Sequence, residues 1–123
     1  MKKATFTITG EGIRETILEA TADFQQDEYV ARYAFGAVSV FMFEQYKTST
    51  PNFALNVIID FSIEPTRTNE IRLECITMGA KNRHEINWFD LEKSLLGDFR
   101  AHFFGYRDRH DCQWEISDLA FFS

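Results

Sequence analysis

The chain has 123 residues, with 13 Lys+Arg against 19 Asp+Glu, 45% hydrophobic and 26% charged. That is the size and composition of one globular domain rather than a disordered segment, so a single domain over 1–123 is expected. A net charge of −6 argues against a general nucleic-acid binder, which needs a basic face to displace counterions, and against attraction to anionic lipid.

Lys2 and Lys3 open the sequence, but Thr5, Thr7, Thr9 and Glu11 follow where a secretory leader would carry its apolar core. The least polar stretch lies between Arg32 and Glu44, short of the roughly 18 residues a spanning helix needs. Cys75 and Cys112 lie far apart with no C-x-x-C spacing. They read as free thiols, and the compartment as the cytoplasm.

Residues 4–9 alternate, Phe6 and Ile8 on one face and threonines on the other, the pattern of a half-buried strand. After Gly10 and Gly12, the residues Ile13, Ile17, Ala20 and Phe24 recur at helical spacing, with carboxylates elsewhere around the turn. Over 27–36 two periods compete. Tyr29 and Tyr33 are helix neighbours, whereas Tyr29, Ala31, Tyr33 and Phe35 alternate; a short helix stopped by Gly36 is the expectation.

From residue 37 the period becomes two. Val38, Val40 and Met42 alternate with Ser39, Phe41 and Phe43, both sets largely apolar. Phe53, Leu55, Val57, Ile59, Phe61 and Ile63 then hold successive positions on one face, and Ile71, Leu73 and Cys75 repeat the pattern. Turn chemistry at 48–52 and 65–69 joins them into an antiparallel meander over 37–78. For the second hairpin, charge favours the register that sets Asp60 opposite Arg72 over the one that sets it against Glu74.

Trp88, Leu91, Leu95, Phe99 and Phe103 predict a helix over 88–104, with Asn87 as its N-cap and Gly105 to end it. Trp114 and Ile116 alternate with Gln113 and Glu115, a short last strand, and the chain closes on an apolar tail at 119–122. The order predicts an α+β fold: an antiparallel sheet of three to five strands, with two or three helices packed mainly on one face.

Chemistry-bearing motifs are sparse. His84-Glu85 starts like the zinc-protease H-E-x-x-H, but Trp88 stands where the second histidine must be. The run 107–115 offers His110, Asp111, Cys112 and Glu115 without the paired spacing of a zinc site. Neighbours on a strand also face opposite ways, and a cysteine alternating with Trp114 and Ile116 reads better as a small core residue. Asp60, Glu64, Glu70 and Glu74 surround a turn that also holds Arg67, with Arg72 just beyond it, which reads as a solvated, salt-bridged hairpin. No metal site and no cofactor are expected.

The remaining signal is aromatic: 13 Phe, 4 Tyr and 2 Trp must fill a core, an interface or a ligand cavity. The leading expectation is a non-enzymatic domain acting by association, as a homodimer or an adaptor for another protein. The competing one is a small-molecule binder or enzyme with a pocket between helix 88–104 and the sheet, where Tyr46, Trp88 and His102 would supply the polar tips. Parity separates the two. If Phe53 to Ile63 and Ile71 to Cys75 face the helices, then Ile58, Ile76 and Met78 face away. Strand 37–47 adds either Phe41 with Phe43 or Val40 with Met42 to that outer face. An antiparallel sheet with one face in water should be polar there, so either the tail 119–122 covers these residues or a partner does, most simply a second copy.

Overall fold

The computed structural model describes residues 2–24, 30–47, 50–62, 69–79, 88–117 and 120–122. In chain order the elements are β1 (Lys2–Gly10), α1 (Ile13–Ala22), β2 (Val30–Phe35), β3 (Val38–Lys47), β4 (Thr50–Asp60), β5 (Glu70–Gly79), α2 (Trp88–Arg109), β6 (Trp114–Ile116) and β7 (Ala120–Phe122). The strands form one antiparallel sheet in the order β2-β3-β4-β5-β1-β6, with β7 also paired to β1. The class is the expected α+β, and the meander is there as β3-β4-β5. The sheet is wider than the three to five strands expected, because Val30–Phe35 (β2) and Ala120–Phe122 (β7) are strands as well.

The β4–β5 ladder runs from Phe53 opposite Gly79 to Ile58 opposite Glu74, which is the register that charge favours. The ladder stops there, before Asp60 and Arg72 can face each other on it. Asp60 instead accepts hydrogen bonds at Oδ1 from the Ser62 hydroxyl (2.6 Å) and backbone N–H (2.8 Å). These bonds hold its carboxyl below the usual carboxylate range.

Two further expectations are corrected. The described part of 27–36 is not a helix: Val30–Phe35 is strand β2, laid along β3 from Val30↔Phe43 to Phe35↔Val38. Gly36 has φ 59 and takes the first position of the two-residue hairpin loop 36–37, where a positive φ suits glycine. The long helix does not end at Gly105 but continues to Arg109. The further turn buries Tyr106, 6% exposed, with its ring stacked on Trp114 at 5.6 Å. That contact offsets the roughly 1 kcal/mol cost of an interior glycine. Asp111, at φ 52, ends the helix, and the Cys112 N–H reaches back to Arg107 O at 2.9 Å, the outer bond of a left-handed helix stop. The tail, one of the two alternatives for covering the outer face, pairs at 120–122 edge-on with β1, Lys3↔Phe122 to Thr5↔Ala120.

Both helices pack on one side of the sheet. The inward residues are Phe6 and Ile8 of β1, Phe41 and Phe43 of β3, Leu55, Val57 and Ile59 of β4, and Ile71, Leu73 and Cys75 of β5. They join Ile13, Ile17 and Phe24 from the first helical segment and Leu95, Leu96, Phe99 and Phe103 of α2 in a single buried cluster. Its centre is aromatic: Phe6 meets Phe99 and Phe103 edge-on at 5.8 and 5.5 Å, and Phe24 meets Phe43 and Phe99 at 5.0 Å each. The two phenylalanines of β3 therefore face the helices, where the space between layers accepts large side chains, and Val40 and Met42 face away. Of the expected features, the side chains of 119–122 and of Leu91, and the segments 48–49, 63–68 and 80–87 (with His84, Glu85 and Asn87), lie outside the described residues.

Candidate interaction surface

On the face away from the helices, registration aligns the side chains row by row. Val40 lies directly opposite Ile58, and Met42, Asn56 and Ile76 stand in one row. On the β2 side, Tyr33 faces Val40, Phe35 faces Val38 and Ala31 faces Met42. Val38, Val40, Met42, Ile58 and Ile76 are half-buried. Tyr33 and Phe35 are 50% and 66% exposed, the large hydrophobic residues left open to solvent among the described residues, and their rings stack at 6.4 Å.

The structure thus brings Ile58 and Ile76 onto the expected face together with Val40 and Met42. Met78 takes the register position opposite Ala54 on that face, and its side chain lies outside the described residues. Tyr33 and Phe35 were not anticipated, because their segment reads as a helix in sequence. Their alternation with Arg32 and Ala34 was the signal that could have found them.

The same face is polar over β5 and β1, where Thr5 faces Glu74, Thr7 faces Arg72, and Lys3 stands beside Ile76. The apolar half is therefore confined to β2, β3 and β4 with Ile76 at its border. Asp60 lies at one end of it and Glu44 takes the outward register position opposite Ala54 towards the other, while the outward positions of β2, and those of β3 from Val38 to Met42, carry no charge.

The alternative site under α2 is laid out differently. His102 is half-buried, and its Nε2–H donates to Ala20 O at 2.7 Å. A carbonyl only accepts, so the proton sits on Nε2. The Phe24 N–H takes Thr21 O, so the imidazole serves Ala20 O, a carbonyl in the last turn of α1, and ties that helix to α2. Its ring lies 5.3–6.2 Å from Phe103, Phe24 and Tyr106. Burial is the main influence on its pKa and pushes it below the ordinary histidine value; Ala20 O and Asp23 oppose that shift, and Arg109 adds to it. The side chains of Tyr46 and Trp88 lie outside the described residues, so nothing brings the three together.

An open cleft of about 350 Å³ is lined by Arg107, Cys112, Gln113, Trp114 and Glu115. Arg107 is engaged there, with Nη1 donating to Trp114 O at 3.4 Å and its guanidinium 4.9 Å from the Phe104 ring. Both cysteines are free thiols. Cys75 is buried in the core, and burial pushes its thiol far above the ordinary value, leaving it inert as a nucleophile. Among the described residues no three His, Cys, Asp or Glu side chains gather as a metal site, and no helix is long and apolar enough to cross a membrane.

Comparison with known proteins finds no family model that matches the chain, and no curated protein matches it in sequence. Function has to be read from the surface itself.

Proposed function

We propose that the protein works by association, as a homodimer, through the open face of its sheet. The observation that carries this reading is the apolar half of that face, Tyr33, Phe35, Val40, Met42, Ile58 and Ile76 in contiguous register with Tyr33 and Phe35 half or more exposed. An antiparallel sheet with one face in water is polar on it, and an apolar patch rimmed by polar residues is the usual mark of a protein contact. Lys3, Arg72, Glu74 and Asp60 supply such a rim. The sequence of the closing strand supports the reading too, since β7 lies beside β1 and does not cross this half. A two-fold homodimer is the commonest way to cover such a surface, and its expected size is on the order of 800 Å² per subunit. Two free cysteines suit a reducing compartment such as the cytoplasm.

The reading with a ligand pocket under α2 draws less support. Phe6, Phe24, Phe99 and Phe103 pack ring to ring where that pocket would lie, and His102 is committed to Ala20 O. Replacing Ile76 with Asp tests the association. Wild-type protein is expected to sediment as a dimer, and I76D as a folded monomer with an unchanged circular dichroism spectrum. Wild-type protein that sediments as a monomer at high concentration overturns the reading.

A further inference from the structure

We infer that the two copies stack face to face about a two-fold axis running along the strands between β3 and β4, so that β2 of each copy lies over β5 of the other. This rests on the association proposed above and names its geometry. The outer positions divide by strand. β2 supplies an aromatic column, Tyr33 and Phe35. β3 and β4 supply Val40, Met42 and Ile58, and β5 supplies a charged column, Arg72 and Glu74, followed by Ile76. Register sets these residues in rows. Tyr33, Val40, Ile58 and Glu74 share one row, and Ala31, Met42, Asn56 and Ile76 share the next. On the other side of the Tyr33 row stand Phe35, Val38 and Asp60. Arg72 takes the matching outer position of β5, one step past Glu74.

Sheets packed face to face in the aligned way keep their strands within about 30° of each other, so a two-fold axis between them runs either across the strands or along them. An axis across the strands lays every strand on its own copy. It presses β5 on β5 and β1 on β1, and draws Lys3, Arg72 and Glu74 of both copies out of water, which is costly. An axis along β4 opposes the two Asp60 carboxylates. An axis along β3 carries Ile76 past the partner's β2 and leaves it uncovered. Between β3 and β4 the face complements itself. A two-fold rotation has no slide along its axis, so each row meets the same row. Val40 then lies over the partner's Ile58, and Tyr33 over the partner's Glu74, where the phenol donates to the carboxylate. Phe35 lies over the partner's Arg72, ring face against guanidinium. Ile76 comes over Ala31, the smallest outer residue of β2. Asp60 meets Val38 in the end row, its carboxyl already held by Ser62. Charge complementarity thus selects a second copy as the occupant. Arg72 and Glu74 are exposed and have no ion-pair partner among the described residues, and the aromatic column of the other copy supplies one to each. β1, with Lys3, stays in water.

The test is cross-linking in full-length protein that carries Cys112→Ser, with Cys75 buried and out of reach. A bismaleimide spanning about 8 Å suits the roughly 10 Å between packed sheets. Tyr33→Cys and Glu74→Cys proteins, mixed and allowed to exchange, are expected to give the mixed cross-linked dimer about fivefold or more over either self-linked one. An axis across the strands gives the reverse. A double-mutant cycle read by sedimentation keeps the rings in place. Tyr33→Phe and Glu74→Ala are each expected to raise the dimer Kd about fivefold, and the double variant no further than the larger single effect. Should the cysteine variants sediment as monomers, the cycle decides. If wild-type protein is a dimer and I76D a monomer, but self-linked products prevail or the two Kd effects multiply, this axis is overturned while association through the face stands. If wild-type protein is a monomer, both fall together.

Discussion

The two edges of this sheet solve the same problem in opposite ways. At one edge, β1 is flanked by β6 and β7, three residues each, which break the long row of free backbone groups into two short pieces. Side chains and backbone lock the junction between them: the Ser117 N–H donates to Thr7 O at 2.9 Å, the Thr7 N–H to Ser117 Oγ at 2.7 Å, and Arg100 Nε to Ser117 O at 3.3 Å. Trp114 seals that edge from below, 5% exposed against Tyr106. At the other edge, β2 is six residues long, unbroken, and carries Tyr33 and Phe35 into solvent. Short, interrupted edge strands are how monomeric sheets avoid pairing with strangers. The chain protects one edge closely and, among the described residues, leaves the other without a strand beside it.

The largest contrast to test is between the aromatics of the two edges. Trp114→Ala removes a buried indole and its stacking partner for Tyr106, and is expected to destabilise the fold by about 3–5 kcal/mol. Phe35→Ala, at a position 66% exposed, is expected to change folding stability by less than about 0.5 kcal/mol while weakening association. Urea denaturation at a protein concentration low enough to hold both variants monomeric measures the first quantity, and sedimentation measures the second. A Phe35→Ala protein as unstable as Trp114→Ala would mean that β2 is part of the core and not an open edge.

A smaller effect is expected at Gly10, which faces Trp114 across the β1–β6 ladder. A Cβ there would stand 2.5 Å from Trp114 Cδ1 and 2.8 Å from Gln113 O. The second neighbour is backbone and cannot rotate away. Gly10→Ala should therefore push β6 off β1, at a cost of about 1–3 kcal/mol, with amide exchange accelerated at 114–117 and unchanged along β2. Uniform acceleration over the whole sheet would show that the closed edge is not a local unit.

How much of this was legible in the residues follows from how many faces of each segment are buried. β4 and β5 carry one apolar and one mixed face, so period two fixes their orientation, and Ile58 and Ile76 fall on the outer face by parity alone. Strand β3 is apolar on both faces, and parity could not choose between Phe41 with Phe43 and Val40 with Met42. The choice is made by depth, since the helix layer accepts the larger rings. β2 is exposed on both faces, so neither its burial nor its alternation is strong enough to outweigh the helical spacing of Tyr29 and Tyr33. Gly36 is ambiguous in the same way, because a positive φ serves a hairpin loop as well as a helix end. The end of α2 was hidden for a different reason. Asp111 holds the left-handed stop that Gly105 was expected to provide, and only the tertiary contact of Tyr106 with Trp114 draws the helix past the glycine.

The smallest expected effect concerns pH, and it separates the helix-covered side from the open edge. His102 joins α1 to α2 through Ala20 O, beneath neither edge, so its titration should loosen the helix layer and leave β2 untouched. Burial lowers its folded-state pKa below the ordinary 6.5. Between the lowered folded value and 6.5 the unfolded chain therefore binds more protons than the folded one, and stability rises with pH across that window. The contribution is complete above about pH 6.5 and is lost as pH falls through the folded-state value. The groups facing the ring temper the effect, since Ala20 O and Asp23 favour the imidazolium and Arg109 opposes it. Arg109 is itself bonded to Asp23 at 3.1 Å, an exposed pair of modest strength. His102→Gln keeps a side-chain N–H for Ala20 O without a titrating ring. The wild type should lose more of its urea midpoint between pH 7.5 and pH 5.5 than His102→Gln does, with the dimer fraction the same for both at each pH. An equal loss in the two proteins would assign the acid sensitivity to other groups, and a loss confined to the dimer fraction would move it to the open edge.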